Sequence, residues 1–340
     1  MPDDPQNPQT TPPSGPVTPK VPDAVYEGLL GRAGRTFGAL EVTEAVAKVR
    51  AIVGVPNVPN SEREAQSALD KLKKGKERPT AIELAALEFV IRMMRPAPLS
   101  LNGELQPLPS KPGQSTYQPE VSQAWDTFCQ HVKPLLYSIG RLDRTSGPDP
   151  QLGTGFLVSD DLVVTNHHVV SQLSHGTDVL DPGMAVIRFY QEFKGPETVP
   201  QCDVLGIVAI HPILDMALLR VKLPEPRPPL PLETGAVAPN TSVGAVGYPY
   251  KDGRNPLYVD AIYQGRYGVK RGALGELTGG GPQLLFHDCS TLGGNSGSPV
   301  FALATGRVIG LHFSGTFMYR NEAVRATEVA SFLHTAAGTH

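Results

Sequence analysis

The 340-residue chain has few cysteines, little net charge and no long apolar run. Its three cysteines, Cys129, Cys202 and Cys289, form an odd, sparse set without Cys-x-x-Cys spacing. That excludes a disulfide framework and points to free, mostly buried thiols in a reducing compartment. No stretch nears the roughly 20 apolar residues that span a bilayer, and no apolar segment follows the first methionine. The expectation is a cytoplasmic protein with no membrane partner. A formal net charge of −3, with basic residues offset by acidic ones, leaves no electrostatic footprint for nucleic acid. No Gly-rich phosphate loop appears in the N-terminal part, and no cofactor is expected.

Against these absences stand three motifs: Thr165-Asn166-His167-His168-Val169-Val170, Asp215-Met216-Ala217-Leu218-Leu219, and Gly293-Gly294-Asn295-Ser296-Gly297-Ser298-Pro299-Val300. A serine hydroxyl is a poor nucleophile near neutral pH, so an imidazole must take its proton and a carboxylate must hold that imidazole in one tautomer. The candidates are Ser296 as nucleophile, His168 as base and Asp215 as orienter. Glycines around Ser296 permit a tight turn, so that backbone N–H groups of Gly294, Asn295 and Ser296 form a candidate oxyanion hole, with Gly294 and Ser296 as its principal donors. His167 competes with His168 and is expected to face elsewhere. A His-His metal site is disfavoured, because no carboxylate or cysteine follows at i+3 or i+4. No metal is expected.

The three motifs resemble those of the chymotrypsin-fold (trypsin-like) serine proteases, and more closely the bacterial glutamyl-endopeptidase-like and HtrA-like branches. They stand in that family's order, with 47 residues from His168 to Asp215 and 81 from there to Ser296. The resemblance covers roughly residues 125 to 335 and implies a serine endopeptidase acting on protein or peptide. It implies two antiparallel six-stranded barrels with the triad in the cleft between them. Position 295 carries asparagine where secreted, zymogen-activated enzymes carry an aspartate, so their switch is not available here. The pocket-base position, six residues before the nucleophile, is Ser290, which disfavours cleavage after Lys or Arg. Gly310-Leu311-His312-Phe313-Ser314-Gly315 resembles the pocket wall of glutamyl endopeptidases. Thr291 and His312 are thus candidate receptors for an acidic side chain, with Ser290, Phe313 and Ser314 beside them. Protonation would strengthen such a receptor, so activity toward Glu or Asp is expected to fall at high pH. A small or medium apolar preference stays open.

The pattern around the motifs is that of an all-β unit. Short apolar runs at 155–158, 162–164, 184–190, 204–210, 217–221, 242–246, 284–287, 299–303 and 308–313 recur between Gly, Pro and Asp. The expected division is a Pro-rich disordered tail over 1–22, a helical module over 23–95, a Pro-rich linker over 96–120 and the all-β protease domain over 121–340. In the module, helices are expected over 23–30, from Val42 to a stop at Gly54, from a capping box at Ser61 to Gly75, and from Thr80. Val42, Ala45, Val46, Val49, Ile52 and Val53 make one stripe; Ala65, Ala68, Leu69 and Leu72 make a second. The helix from Thr80 is apolar nearly all round and is expected at the centre of the bundle. The module carries no catalytic set, so protein interaction is its expected role, and its architecture resembles effector-associated or death-fold-like adaptors. A structural cap on the protease is the alternative. The linker is expected to let the two parts move independently. For the whole chain, a peptide-binding adaptor that does not cut, and an esterase, remain the competing readings.

Overall fold

The computed structural model describes residues 23–38, 40–53, 61–110, 117–147, 151–195, 200–251, 259–316 and 320–337. The tail expected over 1–22 and the stop at Gly54 lie outside these residues, as do the side chains of Val49, Ile52, Val53 and Ser61. Four helices open the fold: α1 (Asp23–Phe37), α2 (Val42–Val53), α3 (Ser61–Lys74) and α4 (Ala81–Met93). The first runs further than expected because Leu29, Ala33 and Phe37 keep a buried i, i+4 stripe. It ends at Gly38, whose φ of 59° suits a left-handed cap and whose N–H donates to Gly34 O at 2.8 Å. Helix α4 opens on a reciprocal capping box between Thr80 and Glu83. Its residues from Ala86 to Met93 are all buried, Glu88 and Arg92 included, and it packs against the other three helices.

Next come a short hairpin, β1 (Ser100–Leu101) and β2 (Glu104–Leu105), and helix α5 (Pro119–Val132). The first barrel is built from β3 (Ile139–Arg144), β4 (Gln151–Leu157), β5 (Leu162–Thr165), β6 (Ala185–Arg188), β7 (Cys202–Ile210) and β8 (Ala217–Lys222), with helix α6 (His167–Leu173) after β5. Around the barrel the order is β3-β4-β5-β8-β7-β6, closed and antiparallel. The second barrel comprises β9 (Ser242–Gly247), β10 (Arg271–Gly280), β11 (Leu284–His287), β12 (Pro299–Ala302), β13 (Arg307–Thr316) and β14 (Arg320–Arg325). It closes in the order β10-β11-β14-β13-β12-β9. Helix α7 (Val259–Tyr263) precedes β10, and helix α8 (Ala326–Ala337) packs on β13 and β14. The fold is therefore the expected double antiparallel barrel preceded by helices.

Three apolar cores account for the arrangement. Leu142, Val163, Ile187, Leu219 and their neighbours fill the first barrel. Trp125, Phe128, Phe156, Tyr248 and Phe301 belong to a second core that joins the two barrels under α5 and α8. The third core departs from expectation: Phe37, Leu87, Ile91 and Met94 of the helical part share it with Val243, Ala273, Leu277 and Cys289 of the second barrel. At roughly 25 cal/mol per Å² of apolar surface removed from water, a shared core of this kind opposes independent motion of the two parts.

The stretch over 96–120 is likewise no free tether over its described residues. Leu99, Ser100, Leu105 and Leu108 are buried, Ser100 N donates to Lys270 O at 2.9 Å, and Gly272 N donates to Pro98 O at 3.0 Å. Its leucines, spaced between prolines, cover barrel surface, and Trp125 Nε1 donates to Gln106 O at 3.1 Å.

Candidate active site

Strand β5 is buried along its whole length and ends at Thr165, so the chain leaves the first barrel at a fixed point. His168 then sits in the first turn of α6, three residues beyond the end of β5. Asp215 lies in the turn between β7 and β8, which His211 braces by accepting from Ile213 N at 3.2 Å and Leu214 N at 2.9 Å. Asn166 Nδ2 donates to Asp215 O at 2.8 Å and ties that turn to the entry of α6. His168 Nδ1 then meets Asp215 Oδ2 at 2.5 Å, while His168 N donates to Asp215 Oδ1 at 2.9 Å. A carboxylate only accepts, so Nδ1 is the protonated nitrogen and Nε2 keeps its lone pair for the cleft. Partial burial pushes the Asp215 carboxyl up, but the bonds and charge of His168 outweigh it and hold it below its ordinary value. His167 turns away and pairs with Asp178 Oδ2 at 2.9 Å.

The second barrel contributes Ser296 on the turn before β12. Gly294 and Gly297 have φ of 86° and 87°, a region that favours glycine. A Cβ on Gly297 would also lie 1.9 Å from Thr154 O, and one on Gly294 2.3 Å from Tyr248 O. The turn is pinned across the barrel junction, since Thr154 Oγ1 donates to Gly294 O at 2.7 Å and Thr154 N donates to Ser296 O at 2.8 Å.

Two of its peptides are held by their carbonyls. Gly293 O accepts from Tyr250 N at 2.8 Å, and Asn295 O accepts from Ser298 N at 2.8 Å. A trans peptide points its N–H opposite its C=O, so these bonds set the N–H groups of Gly294 and Ser296 facing the other way. Neither N–H has a protein acceptor among the described residues. Asn295 N, by contrast, donates to Leu292 O at 3.1 Å, which removes it from the three expected oxyanion donors.

Candidate pocket residues are brought together in part. Gly297 N donates to His312 O at 2.8 Å and His312 N donates to Ser298 O at 2.9 Å, which sets His312 beside the nucleophile turn. His312 and Ser290 are buried, and Ser290 Oγ has no hydrogen-bond partner among the described residues. Thr291 is half-buried and Ser314 exposed. At Phe313 strand β13 bulges, and that ring packs on the core between the barrels. His312 Nδ1 lies 3.2 Å from His287 Nε2. Burial, then the neighbouring His287 and His168, hold His312 well below its ordinary pKa, so it is neutral in the free protein. That corrects the expectation of a protonated receptor: any proton on His312 has to arrive with an anionic ligand.

A cleft of about 860 Å³ runs along the His168–Asp215 side, lined in part by Leu152, His167, His175, His211 and Ile213. Among the described residues no three metal-binding side chains converge, in this cleft or elsewhere.

With this geometry in view, residues 153–311 match the trypsin-like peptidase domain. Over that stretch the double barrel is similar to a trypsin-like peptidase domain. Solved structures with a similar fold include a serine endoprotease from Yersinia pestis (18% identity, 62% of this chain and 66% of that one, TM-score 0.46). Rv3671c from M. tuberculosis, in an inactive mutant form, is 21% identical over 61% of this chain and 91% of its own, at a TM-score of 0.43. Deg5 is 19% identical over 64% and 95%, at 0.46. No curated protein matches the chain. Among the described residues, no helix is long and apolar enough to cross a membrane.

Sequence reasoning missed Thr154, Asn166 and Tyr250, which fix the three motif segments to one another. Of these only Asn166 sat inside a motif.

Proposed function

We propose that the chain is a serine endopeptidase that works through an acyl-enzyme. The observation that carries this reading is the His168–Asp215 pair, locked by two hydrogen bonds from one residue to one carboxylate. Ser296 Oγ attacks the scissile carbonyl and passes its proton to His168 Nε2. The N–H groups of Gly294 and Ser296 receive the developing oxyanion, and His168 returns the proton to the departing amine. Water, activated by the same imidazole, then releases the acyl group. Asp215 stays ionised throughout and stabilises the imidazolium.

For the residue before the cut, we favour an acidic side chain held by His312, Thr291 and Ser290, with small apolar residues as the competing preference. Binding of a carboxylate would draw a proton onto neutral His312. Selectivity for Glu over Gln therefore declines as pH rises.

A second reading has its own support. Among the described residues no hydrogen bond joins His168 Nε2 and Ser296 Oγ, although such bonds are often long before substrate binds. That fits a latent, peptide-binding form. A peptide library varied before the cut, read by mass spectrometry with wild type and Ser296→Ala, separates the two. Serine-dependent products support the endopeptidase; peptide retention with no products supports the latent form. The helical part is proposed as a regulatory or partner-binding element.

A further inference from the structure

The helical bundle and the second barrel meet through buried charges as well as a shared core. Arg32 Nη1 lies 2.9 Å from Asp288 Oδ2, and Arg95 Nη1 lies 2.7 Å from the same oxygen. Arg95 Nη2 reaches Glu276 Oε1 at 2.5 Å and Thr36 Oγ1 at 3.0 Å. Arg32 also holds Glu88 at 2.9 Å, and Arg35 holds Glu276 at 2.7 Å. The free oxygen of Asp288, Oδ1, accepts from Glu276 N at 2.6 Å. Asp288 is thus the point where two strands of the barrel and two arginines of the bundle converge, and its side chain is 1% exposed.

Its place in the chain gives this cluster a consequence. Asp288 lies two residues before Ser290, at the base of the candidate pocket, and directly after His287, which contacts His312. Cys289 O accepts from Asn321 Nδ2 at 2.6 Å, so the backbone just before the pocket base is anchored as well. Burial pushes the Asp288 carboxyl up, but Arg95 and Arg32 outweigh it and keep it ionised. A buried carboxylate stripped of such partners would have to shift or take a proton, and the segment bearing it would move.

We propose that Arg32 and Arg95 are positioning residues for the specificity pocket: by clamping Asp288 they hold residues 288–291 and the His287–His312 pair in the geometry that receives substrate. The bundle then supplies, from within the chain, a cation to a buried carboxylate next to the nucleophile turn. Anything that shifts α1 or α4 on the barrel is read out at the pocket. The kinetic arm rests on the endopeptidase reading above; the structural arm does not.

The test uses the full chain and compares wild type with Arg95→Met, Arg95→Lys, Arg32→Met and Arg35→Met. Amide hydrogen exchange is followed over residues 288–294 and, as internal reference, over β5. In Arg95→Met, exchange over 288–294 rises about tenfold or more while β5 is unmoved. Peptide KM rises by about tenfold, whereas turnover of p-nitrophenyl acetate, which places nothing in the pocket, falls far less. Arg95→Lys, which keeps the charge and loses the fork, lies between; Arg35→Met, which reaches Glu276 and not Asp288, behaves as wild type. Should Arg95→Met fail to fold, Arg32→Met and Arg95→Lys carry the same comparison. Equal acceleration in both barrels, or none over 288–294, overturns the proposal. A wild type inactive on every peptide and ester sinks the endopeptidase reading alone, since the exchange result still decides the clamp.

Discussion

Each barrel buries a carboxylate between guanidinium groups, and the two sites differ in where the cations come from. In the first barrel Asp143 receives Arg141 at 2.8 and 2.7 Å and Arg188 at 2.9 Å, all from β3 and β6. In the second, Asp288 receives Arg32 from α1 and Arg95 from just beyond α4, 256 and 193 residues earlier in the chain. The half-site carrying His168 and Asp215 is therefore self-sufficient. The half carrying Ser296 and the pocket leans on the bundle for charge balance and for part of its core.

The largest effect separates chemistry from scaffold. Ser296→Ala should lower peptide turnover by about 10⁵-fold or more, leaving the residual rate supplied by binding and the oxyanion donors. Circular dichroism and the His168–Asp215 pair should be unchanged, because neither depends on the serine hydroxyl. A drop of only a few-fold would mean that another residue is the nucleophile.

Truncation breaks the comparison more directly. Removing residues 1–95 would leave Asp143 fully paired, while Asp288 and Glu276 lose Arg32, Arg35 and Arg95. Breaking a buried pair by deleting one partner costs on the order of 3–5 kcal/mol, and the bundle's apolar footprint on the barrel would be exposed as well. The fragment should aggregate or unfold in its second barrel; a soluble fragment with full activity would show the bundle to be dispensable. Point variants sharpen the same contrast. Asp143→Asn and Asp288→Asn should each destabilise by about 2–4 kcal/mol in denaturant titrations. Only Asp288→Asn should also raise peptide KM.

Acid should find the second barrel first. Burial lowers His287 from its ordinary value to about 3, and His312 is depressed in the same direction. Between pH 6.5 and about 3 the unfolded chain binds protons that the native state refuses, so stability is complete above 6.5 and falls as pH drops. Asp288, held low, keeps its charge through this window and does not offset the loss. Hydrogen exchange at pH 5 should accelerate in β11 and β13 before β5, by an amount on the order of 1–2 kcal/mol.

The parts of this molecule legible in its sequence are those governed by short-range pattern. Alternating apolar runs marked β4, β5, β8, β9 and β12, and the glycines around Ser296 announced a turn that only glycine tolerates. Strands β3, β10 and β14 were not anticipated, because they carry Arg141, Asp143, Arg271, Glu276 and Arg325 within the sheet. Arg141 and Asp143 satisfy each other along one strand and share Arg188, while Glu276, Arg271 and Arg325 are partnered by Arg95, Ala97 O and Gly281 O far away in sequence, so local polarity disguised buried strands as loops. The bundle's dependence on the barrel was hidden for the same reason. Arg92 and Arg95 are polar residues at the end of an otherwise apolar helix, yet both are buried, and Arg95 faces a carboxylate 193 residues away. The linker misled through its prolines, which set backbone conformation without preventing Leu99, Leu105 and Leu108 from packing.

The smallest effect falls at the pocket base, where stability and recognition pull apart. Ser290 Oγ is buried without a hydrogen-bond partner among the described residues, a state that costs stability in the free protein. Ser290→Ala keeps the shape and removes that oxygen, so it should stabilise the second barrel by up to about 1 kcal/mol. If the hydroxyl serves to meet a polar side chain of substrate, the same variant should lose selectivity for Glu over Leu by about tenfold. Thermal unfolding and competition between the two peptides read both quantities on one protein. Stabilisation without loss of selectivity would assign the pocket to apolar side chains, and destabilisation would show that the hydroxyl already has a partner.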